Sequence, residues 1–245
     1  MQRLLLTIGL ITYGFIFTGC PTGPTVYLAK QYDIFPLPWV TNVAPNTSIV
    51  VSLAEDINLD VINEEYLQLI NVERQSSVPG RLTLNHITKT LRFTPDSPLE
   101  PITRYQSRIS STVTYQDSSV IQDKGFVWEF ITSNTEDTKA PRLTSISPAS
   151  GAIAVENTNE IVLTFDEPID PSSVSPENFL VTDIETGHAA MGTYSCSGNQ
   201  CRFRTENGLL RGHSYRVAVG SSIADAAGNH LGESVTSLFT IKTTD

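Results

Sequence analysis

The chain has 245 residues, with 26 acidic against 16 basic side chains and a formal net charge of −10. Such an acidic chain is not built to hold nucleic acid, nor to adhere to anionic headgroups through charge. Its length suits two domains of about 100 residues, each large enough to bury its own core.

Arg3 opens an uncharged apolar run, Leu4 to Phe17, that closes on Phe17-Thr18-Gly19-Cys20. The run is too short for a membrane span, which needs ~20 apolar residues. Pro21, Gly23 and Pro24 follow directly, so a cleaved signal is expected rather than a transmembrane anchor. The segment resembles a bacterial lipoprotein signal with its lipobox, although Phe17 stands where Leu is commoner. The resemblance implies that residues 1–19 are removed and that Cys20 carries a diacylglyceryl thioether and an acylated amino group. The alternative is an ordinary signal peptide that contains a cysteine. Three acyl chains, at ~0.8 kcal/mol per buried CH₂, make a permanent membrane anchor. In a Gram-negative cell, Pro21, in place of the Asp that commonly marks inner-membrane retention, favours the outer membrane. Removing 19 residues leaves 226, and the loss of Arg3 moves the net charge to −11.

Residues 20–38 read as the lipidated N-terminus and tether. Only Pro21 to Pro24 has the composition of a flexible link. Val26 to Trp39 is too apolar for one and is expected to lie against the first domain. Tyr27, Tyr32, Phe35 and Trp39 make the one dense aromatic run.

The rest of the chain repeats at an offset near 110 residues. Thr47–Leu53 matches Asn159–Phe165, Leu67–Leu69 matches Phe179–Val181, and Gly80 matches Gly192. Leu91–Phe93 matches Cys201–Phe203, and Leu99–Tyr105 matches Leu209–Tyr215. A period of this size is a duplicated domain. Within each copy, residues such as Ile161, Leu163 and Phe165 alternate with Val162 and Thr164. Period-two alternation of branched and aromatic residues, cut by Gly, Pro, Asn and Asp every 8–12 residues, is the mark of short strands in a sandwich. The expected fold is all-β: two tandem immunoglobulin-like Greek-key sandwiches over 39–134 and 141–245, with a short polar joint at Asn134–Pro141. Phe165, Phe203, Tyr215 and Phe239 should fill the second core, with Leu53, Phe93, Tyr105 and Phe130 as counterparts. Tyr105 and Tyr215 fit a tyrosine corner, the hydroxyl bonding nearby backbone.

In the second copy, Ser147–Ala152, Ile161–Val174, Leu209–Tyr215, Asp225-Ala-Ala-Gly-Asn229 and Phe239-Thr240 occur in that order. The series resembles the SbsA-type or Big_5 bacterial Ig-like domain over about 141–244; residues 39–133 resemble it more loosely. The family implies an Ig-like sandwich in exported surface proteins, and no single activity.

With Cys20 assigned to lipid, Cys196 and Cys201 remain, with four residues between them, in a loop between two strand-like runs. A hairpin disulfide is expected in an oxidising compartment. Asp166, Glu167 and Asp170, with Asp225 and Asn229, are oxygen-bearing turn residues that qualify either as calcium ligands or as turn chemistry alone. His86, His188, His213 and His230 stand apart from one another. Neither G-x-S-x-G nor H-E-x-x-H occurs. No catalytic residue and no cofactor is assigned. The expected function is that of a non-enzymatic, lipid-anchored envelope protein whose modules serve as scaffold, spacer or adhesion unit. The alternative is a carbohydrate- or protein-binding lipoprotein with a site at the strand–loop ends. Expected partners are the membrane, through Cys20, and an envelope protein or polysaccharide.

Overall fold

A computed structural model describes residues 33–53, 65–110, 125–156 and 159–243. The signal segment, Cys20, Tyr27 and Tyr32 lie outside the described residues.

The first domain contains β1 (Asp33–Phe35), β2 (Ile49–Ser52), β3 (Leu67–Asn71), β4 (Ser76–Ser77), β5 (Gly80–Asn85), β6 (Thr90–Pro95), β7 (Arg104–Ile109) and β8 (Phe126–Ile131). The second contains β9 (Leu143–Ser147), β10 (Ala152–Val155), β11 (Glu160–Phe165), β12 (Phe179–Asp183), β13 (Gly192–Ser197), β14 (Gln200–Thr205), β15 (Ser214–Val219) and β16 (Val235–Ile241). A short 3-10 turn, Pro171–Ser173, precedes β12.

Each domain is two facing sheets. The first pairs β1-β2-β6-β5 with β4-β3-β7-β8, and the second pairs β9-β11-β14-β13 with β10-β16-β15-β12. The order matches the A-B-E-D and C-F-G sheets of the Ig constant-type sandwich, with a segment near the start of the domain switching to the second sheet. That switch occurs in both copies. β9 pairs antiparallel with β11 and β10 runs parallel to β16. Likewise β1 pairs with β2, and Val43 bridges Thr132 in parallel.

This arrangement corrects the expected start of the first domain. Asp33–Phe35 is a paired strand, not tether, and the domain begins six residues before position 39. Ile34 is buried among the core residues there. The apolar character of the stretch was legible; its strand pairing was not, because three residues carry no periodicity.

The two cores are separate and hold all eight expected residues. Tyr105 stacks on Phe130 at 5.8 Å, and Tyr215 stacks on Phe239 at 5.7 Å. The N–H of Glu100 donates to the Tyr105 hydroxyl at 2.8 Å, and that of Leu210 to the Tyr215 hydroxyl at 2.7 Å. Both tyrosine corners therefore exist. The repeated glycine has a packing cause. A Cβ on Gly80 would sit 2.5 Å from Phe93, and one on Gly192 would sit 2.7 Å from Phe203.

Candidate functional site at the domain joint

β2 breaks the alternation of its neighbours. Ile49 and Val51 point into the core, yet Val50, on the opposite face, is only 2% exposed. The loops of the second domain cover it. They comprise Asp166–Asn178 after β11, the hairpin tip at Ser197–Asn199, and Ile223–Asn229 between β15 and β16. The loop end of the second domain packs beside the outer face of β2 and β6, where its loops meet Ser48, Asn85 and Arg92.

Several contacts cross the joint. The N–H of Ser48 donates to the Ala226 carbonyl at 2.8 Å. Asn85 Nδ2 donates to the Ser172 carbonyl at 2.8 Å and lies 3.4 Å from that of Val174. Arg92 Nη1 reaches Asp170 Oδ2 at 2.5 Å, while its Nη2 is held within the first domain by donating to Ser48 Oγ at 3.1 Å. The linker is pinned too: Asn46 donates from Nδ2 to the Asp137 carbonyl at 2.7 Å and accepts the Asp137 N–H at 2.9 Å.

Asp170 organises its own loop. Its Oδ1 accepts the Ser172 N–H at 2.8 Å and the Ser172 hydroxyl at 2.7 Å, capping the 3-10 turn. Ser172 and Ser173 thus sit in a capped helical turn. The Asp170 side chain has no exposed surface. Burial pushes its carboxyl above the usual carboxylate range; Arg92 and Ser172 oppose that push without overcoming it.

The five proposed calcium ligands divide among three settings. Asp170 turns to Arg92. Asp166 accepts from Lys139 Nζ at 2.9 Å and from the Arg142 N–H at 2.8 Å. The Lys139 hydrogen bond, with that backbone donor, holds its carboxyl below the usual range. Asn229 donates from its backbone and its Nδ2 to the two Asp225 oxygens, both at 2.9 Å, around Gly228 with φ 91°. That is turn chemistry. Glu167 and Asp225 do come together, with Asp137 from the linker, their oxygens within 4.8 Å of one another. Burial raises the Glu167 pKa, the hydrogen bond from Lys139 lowers it, and Asp137 and Asp225 raise it further. Each of the three carboxylates already accepts a hydrogen bond from the protein. The loop therefore holds without an ion, while the spacing of the oxygens would admit a hard cation. Asp137 carried no sequence signal, being one more acid in a polar linker.

A cavity of about 270 Å³ lies in the joint, lined by Ile34, Val50, Pro168, Ile169, Pro171 and Ala226. Beside it Cys196 and Cys201 are disulfide-bonded across β13 and β14. The bond holds the tip whose Gly198 carbonyl accepts the Ile169 N–H at 3.0 Å.

Elsewhere in the second domain, His213 Nδ1 lies 2.8 Å from Asp183 Oδ2, with Glu185 at 4.0 Å. Asp183 also lies 3.4 Å from the Tyr215 hydroxyl, so this cluster braces the tyrosine corner. The sequence left His213 isolated, since its partner is 30 residues away and meets it only through β12–β15 pairing. His230 Nδ1 sits 3.2 Å from the Ser222 carbonyl. The described histidines do not converge.

The family profile of the bacterial Ig-like domain, Big_5, matches residues 32–132 and again residues 137–241. The chain belongs to this family. Both Ig-like domains match, including the first, whose sequence resemblance was the looser. An S-layer protein of Geobacillus stearothermophilus is 22% identical over 191 residues, covering 74% of this chain. The chain spans 15% of that relative's length. Among solved structures, the N-terminal part of the S-layer protein SbsC aligns with a TM-score of 0.33 at 8% identity, over 85% of this chain and 44% of that one. The BSP domain of a biofilm associated protein aligns at 0.27 and 14% identity, over 88% and 30%. An LD transpeptidase in complex with imipenem aligns at 0.27 and 13%, over 85% and 88%.

Proposed function

We propose that this chain is a lipid-anchored cell-envelope protein whose two Ig-like domains act together, without catalysis, as a scaffold or spacer. One observation carries the choice between scaffold and loop-end binder. The loops that would form a ligand site at the end of the second domain are spent on the first. Asp170, Ala226 and Ser172 meet Arg92, Ser48 and Asn85 across the joint. One oxygen-bearing residue that looked like a ligand, Asp170, is thereby occupied in joining two modules. A pair of domains fixed in this way holds its two ends at a set separation, which is what a spacer needs.

The envelope address is supported by the lipobox-like Phe17–Cys20 and by the similarity of 74% of the chain to an S-layer protein. Fold alone would not support the role, since one sandwich hosts many functions.

Two measurements test the reading. Mass spectrometry of the membrane fraction is expected to give an acylated Cys20 as the first residue; a free N-terminus elsewhere defeats the anchor. Small-angle scattering of the unlipidated chain is expected to fit one fixed domain arrangement. An ensemble of freely hinged pairs defeats the spacer.

A further inference from the structure

Trp39 and Ile102 are bulky apolar residues in backbone conformations that the second domain gives to glycine. Extending the gapless match of Thr47–Leu53 with Asn159–Phe165 backwards places Trp39 on Gly151. The match of Leu99–Tyr105 with Leu209–Tyr215 places Ile102 on Gly212. The φ angles are 62° for Trp39 and 76° for Gly151, 51° for Ile102 and 75° for Gly212. Hydrogen bonding agrees with the alignment. The N–H of Trp39 donates to Glu129 at 2.7 Å, and that of Gly151 donates to Leu238 at 2.7 Å. In each copy the next N–H turns back three residues, Val40 to Leu37 and Ala152 to Ala149.

Left-handed backbone is disfavoured for any residue with a Cβ, and most for a β-branched one. Neither side chain repays that cost by filling a core: Trp39 is 63% exposed and Ile102 74%. Trp39 bonds β8 at Glu129, whereas Ile102 bonds Ser133, two residues past the end of that strand. Leu37, 58% exposed, and Val40 flank Trp39. Strain that the fold does not require, carried by exposed apolar side chains, marks a surface in use.

We infer that Leu37, Trp39 and Val40 form an interfacial anchor that inserts into the bilayer surface next to the acylated Cys20. This rests on the lipid anchor proposed above. Three arguments select lipid as the occupant. Reach is the first. Cys20 and Asp33 are 13 residues apart in the sequence, about 45 Å at full extension, and Trp39 lies within about 20 Å of Asp33. The patch is therefore held within about 65 Å of the anchored residue. Size is the second. Three side chains bury a few hundred Å² at most, short of the ~800 Å² per partner of a stable protein interface. Chemistry is the third. Tryptophan favours the membrane–water boundary, and the charges lining the hollow beside Trp39, Arg104 and Glu129, cancel.

The test uses the mature chain with Cys20→Ser, mixed with neutral phosphatidylcholine vesicles. The chain has two tryptophans. Trp128 is buried and donates to the Pro36 carbonyl at 3.0 Å, so emission changes report Trp39. The expected result is a blue shift with quenching by brominated lipid. Trp39→Gly should lower vesicle partition about tenfold while the unfolding transition stays intact, since glycine suits the backbone there. Absence of a vesicle response in the parent chain overturns the inference, as does partition unaltered by Trp39→Gly. A Trp39 shift that follows protein concentration alone would point instead to a second copy and also overturns it. Acylated Cys20 with a negative vesicle result defeats only this inference; unmodified Cys20 defeats both it and the proposed function.

Discussion

Arg92 of the first domain and Asp170 of the second hold opposite charges 2.5 Å apart across the joint, the carboxylate without exposed surface and the guanidinium still partly in water. The pair sits between a hydrogen-bonded turn on one side and the outer face of β2 and β6 on the other. Removing one partner strands the other. Arg92→Ala should therefore cost about 3–5 kcal/mol in chemical denaturation, because Asp170 would remain buried and unpaired. Arg92→Met with Asp170→Leu should recover much of that loss. A single substitution costing under about 1 kcal/mol would show that the loop relaxes into water.

The same carboxyl predicts a pH dependence. Its pKa is raised in the folded state, so the native protein binds this proton more tightly than the unfolded chain. Stability from this group is therefore greatest below the unfolded value and falls as pH rises towards the folded one. Asp170→Asn removes the titration. The melting temperature of Asp170→Asn minus that of the parent should rise with pH across that window. A constant or falling difference from pH 4 upward would contradict it.

Tyr105→Phe and Tyr215→Phe should each cost about 1–3 kcal/mol, since the N–H of Glu100 or Leu210 loses its acceptor inside a packed turn. Equilibrium denaturation of each variant measures this. The two corners are equivalent, so losses that differ several-fold would argue that Asp183 and His213, present only in the second, substitute for the hydroxyl.

Reducing the Cys196–Cys201 bond opens a loop of only four intervening residues. The gain from closing it lies below the ~3 kcal/mol of a 15-residue loop, so Cys→Ser at both positions should lower the melting temperature modestly and leave the fold intact. Because the hairpin tip bonds Ile169, the substitution should also raise amide exchange in the Asp166–Ser173 loop.

Glycine exchanges at the repeat positions should have opposite signs. Gly192→Ala forces a Cβ against Phe203 and should cost about 1–3 kcal/mol. Ile102→Gly releases a β-branched residue from φ 51° and should be neutral or stabilising by about 1 kcal/mol, the steric relief exceeding the added chain entropy. Urea denaturation of both variants in the same background decides the signs.

The duplication, the strand pattern, both cores and both tyrosine corners were readable from residues alone. Alternation of side chains along a strand has period two, and a repeated Leu–turn–Tyr segment does the same work in both copies. Trp39 and Ile102 needed φ angles, since a glycine-type backbone cannot be recognised where glycine is missing. The first strand escaped notice because Asp33–Phe35 is too short to show periodicity. Tertiary structure alone decided which face of the first domain the second one covers, and hence that Asp170 serves Arg92 while Glu167 and Asp225 gather with Asp137. Those partners lie tens of residues apart in turns whose composition is the same whether they bind an ion, a neighbour or water. Sequence periodicity sets the faces of a strand; only packing sets what lies against them.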